Sequence, residues 1–208
     1  MVKLGLSLVV YIAIHLQSCM AQSVISVQNG FDEGYWGKTE FCPHGMYAVG
    51  FEQKIQEFRW DEDNTALNGI KLACRNKTER SSCSDQSITS SVGRHGDWQG
   101  QLFCPPGSYM SQFFLKLQKS TIQNLFQSED NTAVQYISFL CQNESDPDRK
   151  SYLVQYPGYW HGNNHNHEES TECPSNTYIC GIKTKVQSIN KPGVDHTGLN
   201  DVIMFCCQ

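Results

Sequence analysis

Three aspartates stand at the same position of an Asp-x-Thr motif that occurs three times: Asp63, Asp130 and Asp195. Glycosidases use paired carboxylates as an acid and a base, so these residues are the first candidates for saccharide chemistry. The motif also suits a turn, because an aspartate side chain accepts a hydrogen bond from the backbone N–H two residues further on. Catalysis needs two acids with different pKa values rather than three matching ones. We therefore predict a turn-forming role, with saccharide binding as the alternative.

Tryptophans and lysines recur in the same pattern. Each tryptophan follows a glycine by two positions, and successive tryptophans are 62 residues apart: Trp36, Trp98 and Trp160. A tryptophan could stack on a sugar ring, but beside a glycine it is expected to cover bare backbone at a sheet corner. The repeated lysines alternate with apolar residues, which favours a solvent-facing position: Lys54, Lys116 and Lys185.

Three histidines lie in an insert that follows the third tryptophan: His161, His165 and His167. Imidazoles at this spacing could ligate zinc or copper. A segment rich in Gly, Asn and His is also typical of a solvated loop, and the other two repeats lack it. The chain contains no Cys-x-x-Cys, Gly-x-Ser-x-Gly or His-Glu-x-x-His. We predict no metal, no cofactor and no catalytic activity.

Residues 1–21 are predicted to be a secretory signal, because Lys3 precedes an apolar run and small residues stand at Cys19 and Ala21. The apolar run has eleven residues, Leu4 to Ile14, whereas a membrane-spanning helix needs about 20. With 16 Lys and Arg and a net charge of −5, the chain is a poor candidate for binding nucleic acid. We expect a secreted, extracellular protein with no membrane span.

A whole unit of sequence is repeated three times, which is typical of a fold built from equivalent units. Besides the motifs above, Cys-Pro-x-x-x-Tyr begins at Cys42, Cys104 and Cys173. A further cysteine follows each repeated aspartate by eleven residues, at Cys74, Cys141 and Cys206. The repeats span about 23–85, 86–148 and 149–208, within a single domain of residues 22–208.

The segments between these landmarks have an apolar period of two, which is typical of strands. Tyr47, Val49 and Phe51 share one face of such a segment, and Ile70, Leu72 and Cys74 share a face of another. A single small sheet cannot bury its apolar face alone. We therefore predict an all-β fold, in which each repeat forms one sheet and three sheets surround a pseudo-threefold axis with their apolar faces inward.

The same landmarks resemble the vitelline membrane outer layer protein 1 family over about 23–208. The most characteristic stretches are residues 63–70 (DNTALNGI), the Cys-Pro-x-x-x-Tyr segments, residues 180–185 (CGIKTK) and Cys206-Cys207. The resemblance implies a secreted β-prism of three Greek-key sheets. It also implies an extracellular role, commonly in egg coats or secreted fluids, rather than a defined enzymatic activity.

The register of the repeats predicts three equivalent disulfides and one additional disulfide: Cys42–Cys74, Cys104–Cys141, Cys173–Cys206 and Cys180–Cys207. A crossed arrangement, Cys173–Cys207 with Cys180–Cys206, is the alternative, since connectivity does not follow from sequence alone. Cys83 is left without a partner. It is either a free thiol or the site of an intermolecular disulfide.

Two N-glycosylation sequons begin two residues after a repeated cysteine, at Asn76 and Asn143. The first functional hypothesis is a structural protein of an extracellular coat or mucus-like layer that binds coat proteins or glycans. The second is a lectin-like module that binds oligosaccharides. The third is an enzyme that acts on aminosugar oligosaccharides through the repeated aspartates.

Overall fold

The structure is a computed structural model that describes residues 23–27, 33–57, 59, 64–77, 86–117, 133–154, 167–187 and 196–208. The secondary structure of these residues is entirely β, and none of them forms a helix long and apolar enough to cross a membrane. The strands are β1 (Ser23–Ser26), β2 (Tyr35–Trp36), β3 (Glu40–Phe41), β4 (Met46–Ile55), β5 (Leu67–Asn76), β6 (Gln86–Thr89), β7 (Asp97–Trp98), β8 (Leu102–Phe103), β9 (Ser108–Leu117), β10 (Val134–Asn143), β11 (Lys150–Val154), β12 (His167–Glu172), β13 (Tyr178–Val186) and β14 (Leu199–Cys207). The predicted all-β class is confirmed.

These strands form three antiparallel sheets. Sheet 1 has the order β6-β5-β4-β7, sheet 2 the order β11-β10-β9-β12, and sheet 3 the order β1-β14-β13-β2. In addition, β8 pairs with β4 and β3 pairs with β13. Each sheet has a long central hairpin, a third strand beside its second strand and a fourth strand that returns beside its first. This order is the Greek key that the family resemblance implied.

Each sheet combines strands from two repeats, which differs from our expectation of one sheet per repeat. β6 begins the second repeat but pairs with β5 of the first, and β11 begins the third but pairs with β10 of the second. The physical reason is that a strand pairs most readily with the one just before it in the chain. In sheet 3 the equivalent place beside β14 is taken by β1, from the other end of the described chain, so that Ser23 lies opposite Cys206. The two ends of the described chain therefore close the prism.

A β-bulge at an equivalent position marks each sheet. Val49, Ser111 and Cys180 are the extra residues in β4, β9 and β13. Their carbonyl oxygens accept hydrogen bonds from the N–H groups of Cys104, Cys173 and Cys42, at 2.7, 2.7 and 2.8 Å. A bulge re-aims the backbone locally, and here it receives the half-cystine at which the chain leaves one sheet for the next.

The core lies inside the prism, where β4, β9 and β13 contact one another. Phe51, Phe113 and Phe139 are completely buried, and the ring centroids of Phe51 and Phe139 are 4.8 Å apart. Large apolar side chains of this kind supply most of the free energy that opposes the conformational entropy of the unfolded chain. The shared residues of the repeats therefore build a common interior.

Candidate functional site

Three disulfides connect the three sheets in a ring. Cys42, held against β13, is bonded to Cys74 of β5, so this bond joins sheets 3 and 1. By the same arrangement Cys104–Cys141 joins sheets 1 and 2, and Cys173–Cys206 joins sheets 2 and 3. A fourth bond, Cys180–Cys207, links β13 to β14 within sheet 3. The structure thus contains the pairing by repeat register and not the crossed one.

One end of the prism, here called the tyrosine end, is closed by Tyr47, Tyr109 and Tyr178. One tyrosine comes from each sheet, all three are buried, and their ring centroids are 5.8, 6.0 and 5.1 Å apart. The Tyr47 hydroxyl donates a hydrogen bond to the backbone carbonyl of Gln208. The ammonium group of Lys77 lies 4.7 Å from the centroid of Tyr47 and 5.3 Å from that of Tyr178. A cation over an aromatic face is attracted by the ring quadrupole, so Lys77 covers this end.

The surroundings of two phenols at the tyrosine end, those of Tyr109 and Tyr178, oppose their ionisation. Burial raises the pKa of Tyr109 and of Tyr178 above the usual range, and the nearby carboxylate of Glu144 raises both further. Glu144 is itself paired with Lys77 at 3.0 Å. Both side chains of this ion pair are partly exposed, so water screens their attraction.

Both predicted sequons lie at the tyrosine end. Asn76 is the last residue of β5 and Asn143 the last of β10, and the paired Lys77 and Glu144 are the middle residues of the two sequons. The Asn143 side-chain oxygen accepts hydrogen bonds from the N–H groups of Ser145 and Asp146, each at 3.0 Å. This turn places Asn143 where the chain leaves the sheet. Glycosylation of the two asparagines stays a prediction.

The opposite end, here called the loop end, is held by buried polar side chains. Gln56 Oε1 accepts hydrogen bonds from both the N–H and the hydroxyl of Thr65, and Asn68 Nδ2 donates to the same hydroxyl at 2.7 Å. In the third repeat the hydroxyl of Thr197 lies 2.8 Å from Gln187 Oε1 and 2.9 Å from Asn200 Oδ1. In the first and third repeats, the threonine of the Asp-x-Thr motif thus holds its loop by hydrogen bonds.

The repeated aspartates Asp63, Asp130 and Asp195 lie outside the described residues. Their role as turn formers or as saccharide ligands stays a prediction. Described residues that follow or belong to the motif contact one another between repeats. The N–H of Ala133 donates to the carbonyl of Thr197 at 3.4 Å. Gly198 approaches the first repeat so closely that a Cβ atom there would stand 2.4 Å from the carbonyl oxygen of Thr65.

A groove of about 360 Å³ opens near the loop end, at the corner where sheets 3 and 1 meet. Sheet 3 contributes Tyr35, Trp36, Val186 and Gln187, and the connection between β6 and β7 contributes residues 91–94. The volume is within the range of small-ligand sites. The sequence did not predict this groove, because its two walls are separated by more than fifty residues along the chain.

A glycine-dependent contact shapes one wall of the groove, and a lysine holds the other. Gly34 has φ +84°, and its Cα approaches the backbone of Val186 so closely that a Cβ would lie 2.4 Å from the carbonyl carbon. This approach places Tyr35 opposite Val186 and Trp36 opposite Lys185. On the other wall, the ammonium of Lys54 donates to the carbonyls of Gly93 and Arg94 at 2.9 and 3.1 Å. Lys54 therefore fixes the loop, and is not simply a solvated side chain as its strand position indicated.

Trp36 and Trp98 lie in the short strands β2 and β7, and their exposure differs. Trp36 lines the groove and is 37% exposed, whereas Trp98 is less exposed and has the ammonium of Lys71 4.1 Å above its ring centroid. The neighbouring positions also differ: Tyr35 is 79% exposed beside Trp36, and Asp97 precedes Trp98. Trp160 lies outside the described residues.

The described residues contain no group of three or more His, Cys, Asp or Glu side chains arranged to hold a metal ion. Two of the histidines considered above, His161 and His165, lie outside the part of the chain that the structure describes, and His167 begins β12. Cys83 also lies outside it. The prediction of no metal and the fate of the unpaired thiol stay predictions.

The three Greek-key sheets, their closed core and their ring of disulfides define a β-prism. Residues 23–208 match the family described as vitelline membrane outer layer protein I (VOMI), and the chain belongs to this family. Vitelline membrane outer layer protein 1 homologs are similar: the protein of Mus musculus is 34% identical over 200 residues, covering 94% of this chain and 88% of the homolog. For the protein of Homo sapiens the identity is 33% over 187 residues, which cover 89% of this chain and 83% of the homolog.

The fold is also found outside the family. The crystal structure of Calystegia sepium agglutinin superposes with a TM-score of 0.51 at 10% identity, covering 88% of this chain and 95% of the agglutinin. At such low identity the similarity shows the fold alone. The family and the four disulfides together indicate an extracellular location, because disulfides persist in oxidising compartments.

Proposed function

We propose that this chain is a secreted, non-catalytic structural protein of an extracellular coat or mucus-like layer, where it binds coat proteins or glycans. The observation that carries the proposal is the ring of inter-sheet disulfides. Each closes a loop of 32 to 37 residues, and a loop of that length stabilises a fold by about 3–4 kcal/mol in the chain-entropy model. Such a body keeps its shape outside the cell, where no chaperone can refold it.

The predicted secretory signal and the two sequons support the same proposal, as does the family to which the chain belongs. An intermolecular disulfide through Cys83 would attach the protein covalently to its layer. Non-reducing peptide mapping of protein from its native source tests this directly. We expect intramolecular links for the eight paired cysteines, glycan on Asn76 and Asn143, and Cys83 joined to another chain.

A binding experiment tests the coat role itself. The full secreted chain, labelled with a fluorophore, is incubated with isolated coat or mucus material and sedimented. We expect saturable retention that reduction of the disulfides abolishes. Retention that is equal for the native and the reduced protein would contradict the proposal, as would recovery of the native protein only as a free monomer.

A second candidate function, binding of oligosaccharides without turnover, is favoured by the groove with its exposed Tyr35 and Trp36. A glycan array with the secreted chain tests it, and saturable binding without product is the expected result. A turnover assay with chito-oligosaccharides distinguishes binding from catalysis. Product formation that is lost in Asp63→Asn, Asp130→Asn or Asp195→Asn, with the fold intact, would establish an enzyme instead.

A further inference from the structure

The groove combines an aromatic surface with a cationic group. Tyr35 is the most exposed of the large hydrophobic side chains in the described part of the protein, at 79%, and Trp36 beside it is 37% exposed. Adjacent aromatic side chains that are exposed in a groove are typical of a ligand-binding surface. The negative face of an aromatic ring attracts the C–H groups on the flat side of a pyranose. The surface therefore fits a sugar ring.

The charge of the groove is positive, although the protein as a whole has a net charge of −5. Arg94 is exposed and lines the groove, and none of the described residues that line it carries a carboxylate. The guanidinium of Arg94 makes no ion pair with a described carboxylate, in contrast to Lys71, Lys77 and Lys150. Lys183 adds a second cation, 5.4 Å from the centroid of the Trp36 ring.

The backbone that presents Arg94 is rigidly held. The ammonium of Lys54 binds the carbonyls of Gly93 and Arg94, and Gly93 N donates to the carbonyl of Asn68 at 2.6 Å. With the backbone fixed, only the Arg94 side chain must be ordered when it binds an anion, and the planar fork of a guanidinium matches a carboxylate with two parallel hydrogen bonds. These features select a carboxylate beside the aromatic surface.

We infer that the groove binds an acidic residue of an oligosaccharide, with Tyr35 and Trp36 against the sugar ring and Arg94 paired with the sugar carboxylate. The inference rests on the carbohydrate-binding candidate function and specifies its ligand class. Sialic acids and hexuronic acids both carry the required group. Neutral sugars carry the ring without the charge.

Calorimetric titration of the full secreted chain tests the inference with three probes: sialyllactose, a glucuronate-containing disaccharide and lactose. We expect at least one acidic probe to bind about tenfold or more tightly than lactose, since a charge-assisted hydrogen bond contributes about 1.5–3 kcal/mol. The preference among the two acidic probes identifies the type of acid. Raising the salt concentration should weaken binding of the acidic probe and leave binding of lactose unchanged.

Three variants separate the contributions. Arg94→Gln should lose the preference for the acidic probe. Tyr35→Ala should weaken the binding of acidic and neutral probes alike. Asp97→Asn, at the position of the second repeat equivalent to Tyr35, should change neither the preference nor the affinities. The first two side chains are exposed, so circular dichroism should show an intact fold. Equal binding of all three sugars by the wild type would overturn the acidic preference and leave carbohydrate binding standing. Binding that survives both Arg94→Gln and Tyr35→Ala would overturn the groove as the site. An array without any bound glycan would remove the candidate function itself.

Discussion

The two ends of the prism are closed by different physical means. All four disulfides found in the described residues lie at the tyrosine end. Each has a half-cystine at most two residues from Tyr47, Tyr109 or Tyr178, counted along the same strand or from the residue paired with the tyrosine on the next strand. At the loop end no disulfide is found among the described residues, and side-chain amides and hydroxyls hold the loops instead. One end is covalent and the other is hydrogen-bonded.

This difference indicates which end acts as scaffold and which can carry recognition. Disulfides and buried rings restrict the tyrosine end to one arrangement, and both sequons lie there. The groove lies near the loop end, where Gln187 is shared between the groove wall and the Thr197 hydrogen bonds. Loops that a rigid scaffold positions are the usual location of binding residues. The comparison therefore leads to five predictions.

The largest effect is expected from removing an inter-sheet disulfide. Cys104→Ala combined with Cys141→Ala opens a loop of 37 residues and should lower the free energy of unfolding by about 3–4 kcal/mol. Urea denaturation measures the change. The matched control is Cys180→Ala with Cys207→Ala, which removes the link within sheet 3, whose sequence separation is 27. A loss below about 1 kcal/mol in the first variant would show that the covalent end does not govern stability.

A smaller effect is expected at the loop end from Gly198→Ala. Gly198 has φ +66°, and a Cβ there would meet the carbonyl oxygen of Thr65 at 2.4 Å, so the free energy of unfolding should fall by about 2 kcal/mol. The equivalent residue of the first repeat is Ala66, which already has φ +49°. Ala66→Gly is the control and should change stability by less than about 1 kcal/mol. If both variants behaved alike, the contact between the two loops would have no energetic role.

Loss of one hydroxyl should cost still less. Thr197→Val keeps the shape of the side chain but removes the hydrogen bond to Gln187 Oε1, which still accepts from the Thr197 N–H at 2.7 Å. We expect a decrease of about 1 kcal/mol in the free energy of unfolding. Because Gln187 lines the groove, amide exchange of residues 186 and 187 should also accelerate. Unchanged amide exchange would show that the Thr197 hydroxyl does not stabilise the wall of the groove.

The smallest effect is a difference in pH dependence between the two ends. Burial raises the pKa of Tyr109, so the folded state holds the phenolic proton more tightly than the unfolded chain. The contribution of this phenol to the free energy of unfolding is complete below a pH of about 10 and is lost as the pH rises further. Tyr109→Phe should reduce the alkaline loss of stability in thermal melts and have little influence near neutral pH. An unchanged alkaline profile would contradict this assignment.

The loop end should respond at acidic pH instead. Burial raises the pKa of Asp201, against the lowering effects of its hydrogen bond from Val202 N–H and of Lys185. The ionised carboxylate therefore destabilises the fold at neutral pH, and protonation relieves this as the pH falls. Asp201→Asn should be more stable than the wild type at neutral pH, with the advantage diminishing in acid. The opposite trend would mean that the attraction of Lys185 outweighs the effect of burial on the Asp201 carboxylate.

Much of the fold followed from local features of the sequence. The period of two around Phe51 and Ile70 predicted the strands, and the repeated cysteines predicted an order of pairing that the structure also contains. The expectation of one sheet per repeat was wrong. A repeat in sequence can be divided between two sheets without any change in its pattern, because alternation specifies the buried face of a strand and not its neighbour.

Much less of the candidate site could be predicted from the sequence. Gly34-Tyr35-Trp36 and Gly96-Asp97-Trp98 are similar motifs, yet Tyr35 and Trp36 line a groove while Trp98 lies beneath Lys71. The strand position of Lys54 indicated solvent, but its partners are carbonyls about forty residues further along the chain. Such contacts depend on which loops the closed prism brings together.

The sequence by itself determined the triplication, the alternating strands, the half-cystines and the family. The tertiary structure alone decided how strands are shared between sheets, which end is covalently closed and where an aromatic and cationic groove opens. The physical reason is the range of the interactions. Backbone alternation and turns act over a few residues, whereas the groove depends on a hydrogen-bonded loop and a sheet edge that meet only after the ends of the chain have closed the prism.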